Sequence, residues 1–188
     1  MNWTRRRLLL AGGMTGAALA LPRLAIAQTN PRSLIVYFSR TGNTEAVVDH
    51  ITERLGCDAI EIETRDAYPE DYETLVALVR QQAAEGYLPP LASPIDLSGY
   101  DRVFVGSPIW GNRLSRPVHS FLASHDLSGK IVAPFITYEV SRSGGQAPDQ
   151  SQQLCPDSDL RDLLTILGEN AEDAGREIDQ WLDETVAV

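Results

Sequence analysis

A short polar segment, residues 39–44, has the composition of a phosphate-binding loop. It reads Ser-Arg-Thr-Gly-Asn-Thr and connects an apolar run to a helical pattern. Gly42 permits a tight turn, the side chains offer hydrogen-bond donors, and the helix N-terminus adds free N–H groups and partial positive charge. Together these groups suit a dianionic phosphate. The same residues also suit an ordinary helix start in which Asn43 or Thr44 is the N-cap.

This segment differs from the two commonest nucleotide-binding loops. A P-loop of the form GxxxxGK(S/T) needs a second glycine and a lysine, and a dinucleotide-binding loop needs GxGxxG. Residues 39–44 contain one glycine and no lysine. Phosphoryl transfer from a nucleoside triphosphate and a nicotinamide site of the Rossmann type are therefore both disfavoured.

Two aromatic residues follow later apolar runs and suit the binding of a flat ring. Trp110 comes soon after the run 102–106, and Tyr138 comes directly after the run 131–137. We expect Trp110 on a short loop, where its indole can stack on an aromatic ligand. Each residue also has a plainer interpretation, Trp110 as a loop anchor and Tyr138 as a surface tyrosine.

The chain alternates between apolar runs and helical patterns, which brings these loops to one edge of a sheet. Strands are predicted at residues 33–38, 58–62, 102–106, 131–137 and 162–167. Helices are predicted before Gly56 and at residues 72–85, 115–124 and 172–182, with a polar loop over 139–153. The runs lack polar alternation, which is typical of parallel strands buried on both faces. The pattern predicts an α/β, three-layer fold with a five-stranded parallel sheet and ligands at the carboxyl ends of its strands.

Composition and charge limit the classes of protein to which the chain can belong. The chain has 188 residues, of which 43% are hydrophobic and 22% charged, as in an ordinary globular domain. Its net charge of −10 argues against nucleic acid as a partner, because phosphate binding needs a basic face. The histidines and the two cysteines lack the spacing of a zinc site, so no metal is expected. The single lysine, Lys130, lies in a Ser-Gly-Lys turn and is predicted to have a structural role.

Residues 1–27 have the features of an export signal peptide. They contain four arginines and no acidic residue, and an apolar stretch diluted by glycine and alanine precedes Ala-Ile-Ala at 25–27. Residues 4–9 resemble the twin-arginine signal, and the apolar stretch is too short to span ~30 Å of hydrocarbon. An uncleaved anchor and a general secretory signal are the alternatives. We expect export to the periplasm and cleavage to a domain, 28–188, that has a net charge of −14 and no stable membrane anchor.

The segments described above together resemble the flavodoxin family. Residues 39–44, after LIVYF, resemble its FMN-phosphate loop, and residues 100–111 are similar to its YDxIxxGxPxW stretch. Further similar segments lie at residues 68–72, 127–130, 137–139 and 154–156 and in the closing helix. The likeness covers essentially all of residues 33–183. It implies a flavodoxin-like fold with strand order 2-1-3-4-5 and FMN as the cofactor.

The resemblance also implies which residues hold FMN. The candidates are Ser39, Arg40, Thr41, Gly42, Asn43, Thr44, Ser107, Pro108, Ile109, Trp110, Gly111, Asn112, Thr137, Tyr138 and Glu139. The chain departs from the family in its glycine-rich THEGSG loop, where Tyr138 stands at a histidine position and Val140 at a glycine position. Because valine does not easily adopt positive φ, the resemblance does not determine the backbone path of residues 139–145.

Three functions remain possible at this point. The first is an exported flavodoxin, an electron-transfer protein whose FMN cycles between oxidised, semiquinone and reduced states and which has no catalytic residues. It would dock a redox protein partner at its acidic surface, for which the candidate residues are Asp66, Glu70, Asp71, Glu73 and Glu85. The second is a small FMN-dependent oxidoreductase that reduces quinones or nitro compounds. The third is a binding module that has lost FMN, for which the altered 139–145 loop is the only support.

The cysteines and one histidine carry further expectations. Cys57 and Cys155 precede the second and fifth strands, which lie at opposite edges of a sheet ordered 2-1-3-4-5. Four strand spacings of ~4.8 Å exceed the reach of a disulfide, so both are predicted to be free thiols. His119, in the helix after the third strand, is predicted to be a surface residue.

Overall fold

The computed structural model of the chain describes residues 31–139 and 144–186. The predicted export signal at residues 1–27 lies outside the described residues, as does Val140 in the altered loop. Among the helices of the two described ranges, none has the length and hydropathy needed to cross a membrane.

Strands and helices alternate along the described residues, as the sequence predicts. The strands are β1 (Ser33–Tyr37), β2 (Asp58–Glu61), β3 (Arg102–Trp110), β4 (Arg113–Leu114), β5 (Ile131–Tyr138), β6 (Asp159–Leu160) and β7 (Leu164–Leu167). The helices are α1 (Asn43–Leu55), α2 (Tyr72–Glu85), α3 (Arg116–Ser124), α4 (Ala147–Leu154) and α5 (Gly175–Val186). A 3-10 helix, Gly168–Asp173, precedes α5.

The central sheet is parallel, with β4 as an antiparallel addition. Its order is β2-β1-β3-β5, and both β6 and β7 pair with the far side of β5. In register, Val36 lies opposite Val105, and Val105 lies opposite Pro134. Since β6 and β7 share the fifth position, the predicted three-layer fold with order 2-1-3-4-5 is confirmed.

Two apolar cores lie on opposite faces of the sheet. On one face, Phe104 and Phe135 pack with Ile51 of α1 and Trp181 of α5. The core on the other face contains the following residues of β1, β3, β5, α3 and α4: Val36, Val105, Ile136, Phe121 and Ala147. Burying one large apolar side chain contributes about 1.5–3 kcal/mol, so both layers stabilise the sheet. Burial on both faces also explains why the strands read as continuous apolar runs.

Strand β3 is longer than predicted and does not end before Ser107 and Pro108. A proline lacks only the N–H donor, and the carbonyl of Pro108 still accepts the Ser115 N–H at 3.2 Å. After Trp110 the chain turns at Gly111 (φ 55) and Asn112 (φ 70) and returns as β4. Trp110 therefore lies at the end of a strand in a hairpin, and its predicted place on a loop is wrong.

The region after β5 also differs from the prediction. The predicted loop over 139–153 contains most of α4, whose buried face consists of Ala147, Gln150 and Ser151 and therefore has little apolar periodicity. The predicted fifth strand, 162–167, corresponds to β7, and the two-residue strand β6, which was not predicted, precedes it; both pair with β5. The closing helix begins as a 3-10 turn at Gly168 and continues as α5 to Val186.

Lys130 and the two cysteines lie near the opposite, amino-terminal edge of the sheet. Lys130 Nζ donates to the carbonyl oxygens of Leu97 (3.0 Å) and Tyr100 (2.7 Å), so its predicted structural role is confirmed. Cys57 is half-buried and Cys155 is buried, and both are free thiols.

Candidate cofactor-binding site

The polar segment 39–44 connects β1 to α1 at the carboxyl edge of the sheet. Gly42, with φ 88, is the N-cap of α1, so neither Asn43 nor Thr44 takes that place. The Glu45 N–H donates to Ser39 Oγ at 3.3 Å. The N–H group of Asn43, at the positive end of the helix, is thus a donor that this turn offers to an anion.

A cavity of about 450 Å³ lies beside this turn. Eleven of the fifteen predicted cofactor residues line it, namely Arg40, Thr41, Asn43, Pro108, Ile109, Trp110, Gly111, Asn112, Thr137, Tyr138 and Glu139. They come from three segments that are far apart in the chain. The fold therefore brings the phosphate-loop candidate and both ring-binding candidates to one cavity.

The four other predicted residues do not line this cavity. Ser39 and Gly42 shape the turn, as described above. Thr44 is 1% exposed, and its Oγ1 lies 2.8 Å from Thr137 Oγ1. Ser107 is fully buried, and its hydroxyl accepts the Ser115 N–H at 2.9 Å. Ser107 thus stabilises the start of α3 and is not placed to contact a ligand.

Two aromatic neighbours orient Trp110 at the cavity. The centroid of its ring lies 5.3 Å from that of Phe38 and 5.0 Å from that of Tyr68. The interplanar angles are 84° and 68°, which is the favourable edge-to-face arrangement. Neither Phe38 nor Tyr68 was predicted as a site residue, although Tyr68 lies in the segment 68–72 that resembles the family.

One wall of the cavity is not indicated by the sequence. It is α2, which contributes the lining residues Tyr72, Leu75, Val76, Val79 and Arg80. The apolar pattern of α2 was present in the sequence, but a helical pattern indicates only that one face is covered. The pattern does not show whether that face packs against a protein core or lines a ligand pocket.

Comparisons with known proteins decide the family of this fold and cavity. A family model described as Flavodoxin matches residues 32–185. The chain belongs to the flavodoxin family. The predicted resemblance over residues 33–183 is thereby confirmed.

Solved structures agree with this membership. The chain is 25% identical to a protein described as a flavoprotein from Bacteroides eggerthii DSM 20697, with a TM-score of 0.73 over 85% of this chain and 100% of that chain. It also shares its fold with a flavoprotein in complex with FMN from Lactobacillus acidophilus NCFM. That likeness has 19% identity and a TM-score of 0.64 and covers 80% of this chain and 98% of the other.

One relative is described as an enzyme. The chain is 28% identical over 123 residues to an NAD(P)H dehydrogenase (quinone) from Gluconacetobacter diazotrophicus. The match covers 60% of this chain, and it spans only 59% of the relative's length.

The cavity of this flavodoxin-family protein fits FMN in its donors and its walls. The turn at Gly42 and the N-terminus of α1 suit the phosphate, and Trp110 and Tyr138 suit the faces of the isoalloxazine ring. Backbone groups of residues 108–112 and 137–139, which line the same cavity, can bond the polar edge of the ring.

The β3–β4 hairpin at this cavity is held by α4 and the residues before it. The Gln146 N–H donates to the Asn112 carbonyl oxygen at 2.8 Å, and Gln150 Oε1 accepts the Leu114 N–H at 2.9 Å. A Cβ at Gly145 would lie 2.5 Å from the Asn112 carbonyl oxygen, so the close approach requires glycine. These contacts restrain the hairpin that carries Trp110.

Three charged residues, Arg40, Arg80 and Glu139, line the cavity. Arg40 Nη2 donates to the Glu70 carbonyl oxygen at 2.5 Å, which ties the phosphate-loop candidate to the chain before α2. His119, predicted to be a surface residue, is half-buried, and its Nδ1 is fully buried. Burial, with Arg116 and Arg113 nearby, lowers the pKa of His119 and favours its neutral form.

Proposed function

We propose that this flavodoxin-family protein binds FMN and works as an electron-transfer protein, exported in folded form to the periplasm. One observation supports the cofactor above all others. A single cavity joins Thr41 and Asn43, on either side of the turn at Gly42, to two aromatic residues, Trp110 and Tyr138. When bound, FMN supplies the capacity to accept and release electrons one or two at a time.

The residues of this chain bind the cofactor and control its surroundings. Arg40, Thr41 and Asn43, which line the cavity at the start of α1, hold the phosphate, and the restrained hairpin presents Trp110 to the ring. The apolar side chains of Leu75 and Val79 exclude water from the same cavity. A low local dielectric would penalise the negative charge of a fully reduced flavin there, and Arg40 and Arg80, which line the same cavity, would oppose that effect.

The proposed partner is a redox protein with a basic surface. The acidic side chains in and before α2 are exposed beside the α2 wall of the cavity, and they are Asp66, Glu70, Asp71, Glu73 and Glu85. Complementary charge raises the association rate and orients the encounter. This surface therefore favours a protein partner over nucleic acid.

A second candidate function is the reduction of a quinone at the expense of NAD(P)H. Two observations favour it, namely the relative described as NAD(P)H dehydrogenase (quinone) and the apolar α2 wall, which suits an uncharged ring. The two functions differ in whether a nicotinamide nucleotide reduces the protein directly.

Purification of the full chain separates these functions. We expect a yellow protein with one FMN per chain and no oxidation of NADH or NADPH unless a separate reductase is added. Rapid NAD(P)H oxidation that depends on added quinone would assign the second function instead. A colourless protein that takes up no added FMN would overturn both proposals.

A further inference from the structure

Helix α2 covers one side of the cavity, yet neither of the two apolar cores contains a residue of this helix. Its buried side chains are Leu75, which lines the cavity, and Gln82, near the end of the helix. Apolar packing against the sheet therefore does not determine where α2 lies. Polar contacts from other segments therefore help to fix its position, and two of them meet at Gln82.

Arg116 of α3 makes the first of these contacts. Its side chain is buried, with 6% exposure, and Nη2 donates to the carbonyl oxygens of Gln82 (3.2 Å) and Tyr87. Carbonyl groups at the end of a helix lack partners within the helix, and the helix dipole favours a cation there. Arg116 thus joins the C-terminal end of α2 to α3.

The side chain of Gln82 makes the second contact. It is 7% exposed, and its Oε1 accepts the Tyr68 hydroxyl at 2.9 Å. Burial raises the pKa of Tyr68 to about 12, so the hydroxyl remains a donor at neutral pH. The ring of Tyr68 in turn packs edge-to-face on Trp110.

We propose that Arg116, Gln82 and Tyr68 form a polar latch that holds α2 and Trp110 in position for the flavin ring. The latch consists of these three residues, and they are positioning residues because none of them lines the cavity. The inference rests on the proposed FMN binding, and it adds that the latch and cofactor affinity are coupled. When the latch is broken, α2 and Trp110 lose their fixed arrangement. FMN must then order the cavity as it binds, and the free energy that this ordering costs lowers the affinity.

A double-mutant cycle on the full chain tests the latch. Tyr68→Phe removes the hydroxyl and keeps the ring packing, and Gln82→Leu removes the acceptor at similar volume. We expect each variant to weaken FMN binding by about three- to tenfold and to shift the midpoint potential. Because both substitutions break the same bond, the double variant should bind about as weakly as the weaker single variant.

Tyr100→Phe is the matched control. It also removes a tyrosine hydroxyl, which donates to Asp58 Oδ2 at 2.8 Å, but at the amino-terminal edge of the sheet. This control should keep the FMN affinity and potential of the parent chain.

Unchanged affinity and potential in Tyr68→Phe would overturn the latch, as would fully additive losses in the double variant. Thermal unfolding shows whether each variant is folded. If Gln82→Leu is not folded, the FMN affinity and potential of Tyr68→Phe alone test the latch. Failure of the unsubstituted chain to bind FMN would instead overturn the proposed function, and the latch with it.

Discussion

Thr44 Oγ1 and Thr137 Oγ1 lie 2.8 Å apart and form a buried hydrogen bond between the first turn of α1 and the end of β5. The two residues are 1% and 4% exposed. The bond ties the phosphate-loop candidate directly to the segment that carries Tyr138. Two of the four segments that line the cavity are therefore held together through their side chains.

Loss of one hydroxyl of this pair should cost more than loss of both. Thr137→Val leaves Thr44 Oγ1 buried without a partner, and we expect it to lower the free energy of unfolding by about 1–3 kcal/mol. FMN affinity should fall as well. Chemical denaturation and FMN titration measure the two effects. The double variant Thr44→Val with Thr137→Val also removes the hydroxyl that lacks a partner, so it should recover part of the lost stability. A larger loss of stability than in Thr137→Val alone would contradict this account.

The left-handed turn at Gly42 should be necessary for cofactor binding. An added Cβ meets no atom within 4 Å, so Gly42→Ala introduces backbone strain without a clash. Strain of this kind costs about 1–2 kcal/mol, and relaxing it would move the turn. We expect weaker FMN binding, measured by titration of the apoprotein.

Gly56→Ala is a matched control for Gly42→Ala. Gly56 has φ 63, also has open space around a new Cβ, and caps the other end of the same helix. It should lose a similar amount of stability and keep its FMN affinity. Equal loss of affinity in the two variants would show that Gly42 acts only through the stability of α1.

Removal of the Trp110 indole should weaken FMN binding by at least about tenfold. Stacking on a large aromatic ring contributes on the order of 1 kcal/mol or more beyond the free energy of burying its apolar area. Trp110→Ala is the variant, and quenching of flavin fluorescence on binding is the measurement. Tyr87→Ala, which truncates an exposed aromatic side chain outside the cavity lining, is the control. Full affinity in Trp110→Ala would exclude a stacking role.

The two cysteines should be unreactive in the native protein. Burial raises the pKa of the Cys155 thiol to about 11, and burial also raises the pKa of Cys57. The thiolate is the reactive form, so alkylation at about pH 8 should be slow, with half-buried Cys57 modified before Cys155. Mass spectrometry after alkylation in denaturant without reductant should show two modified thiols, and a mass deficit of 2 Da would indicate a disulfide instead.

The raised pKa of Cys155 also has a consequence for stability. Because the folded-state pKa lies above the ordinary value of 9.0, ionisation is more favourable in the unfolded chain. The free energy of unfolding should therefore fall as the pH rises from about 9 towards 11. Cys155→Ala should make this alkaline loss smaller, as measured by denaturation at several pH values.

Export should depend on the arginine pair in the first residues. Replacing Arg5 and Arg6 with lysine keeps the charge and removes the twin-arginine pattern. We expect the parent chain in the periplasmic fraction and the Lys-Lys variant in the cytoplasm. Equal export of both would favour the general secretory route.

The order of the elements could be predicted from local patterns, since strand and helix periodicities extend over only a few residues. α2 has the predicted bounds, and α1 ends before Gly56 as expected. Helix α4 was missed because Gln150 and Ser151 occupy its buried face, where polar side chains hide the helical period. The end of β3 was misjudged because Ser107 and Pro108 are typical turn residues, although only the N–H of a proline is missing from a ladder.

The fold class and the contiguous phosphate-loop candidate follow from the sequence, because both depend on neighbouring residues. The sequence could also indicate Trp110 and Tyr138 as ring-binding candidates. Three features emerge from tertiary contacts: α2 forms a wall of the cavity, Ser107 is turned towards Ser115, and Thr44 bonds Thr137. Such contacts join residues distant in the chain, so they depend on strand register and helix placement, which no local pattern encodes.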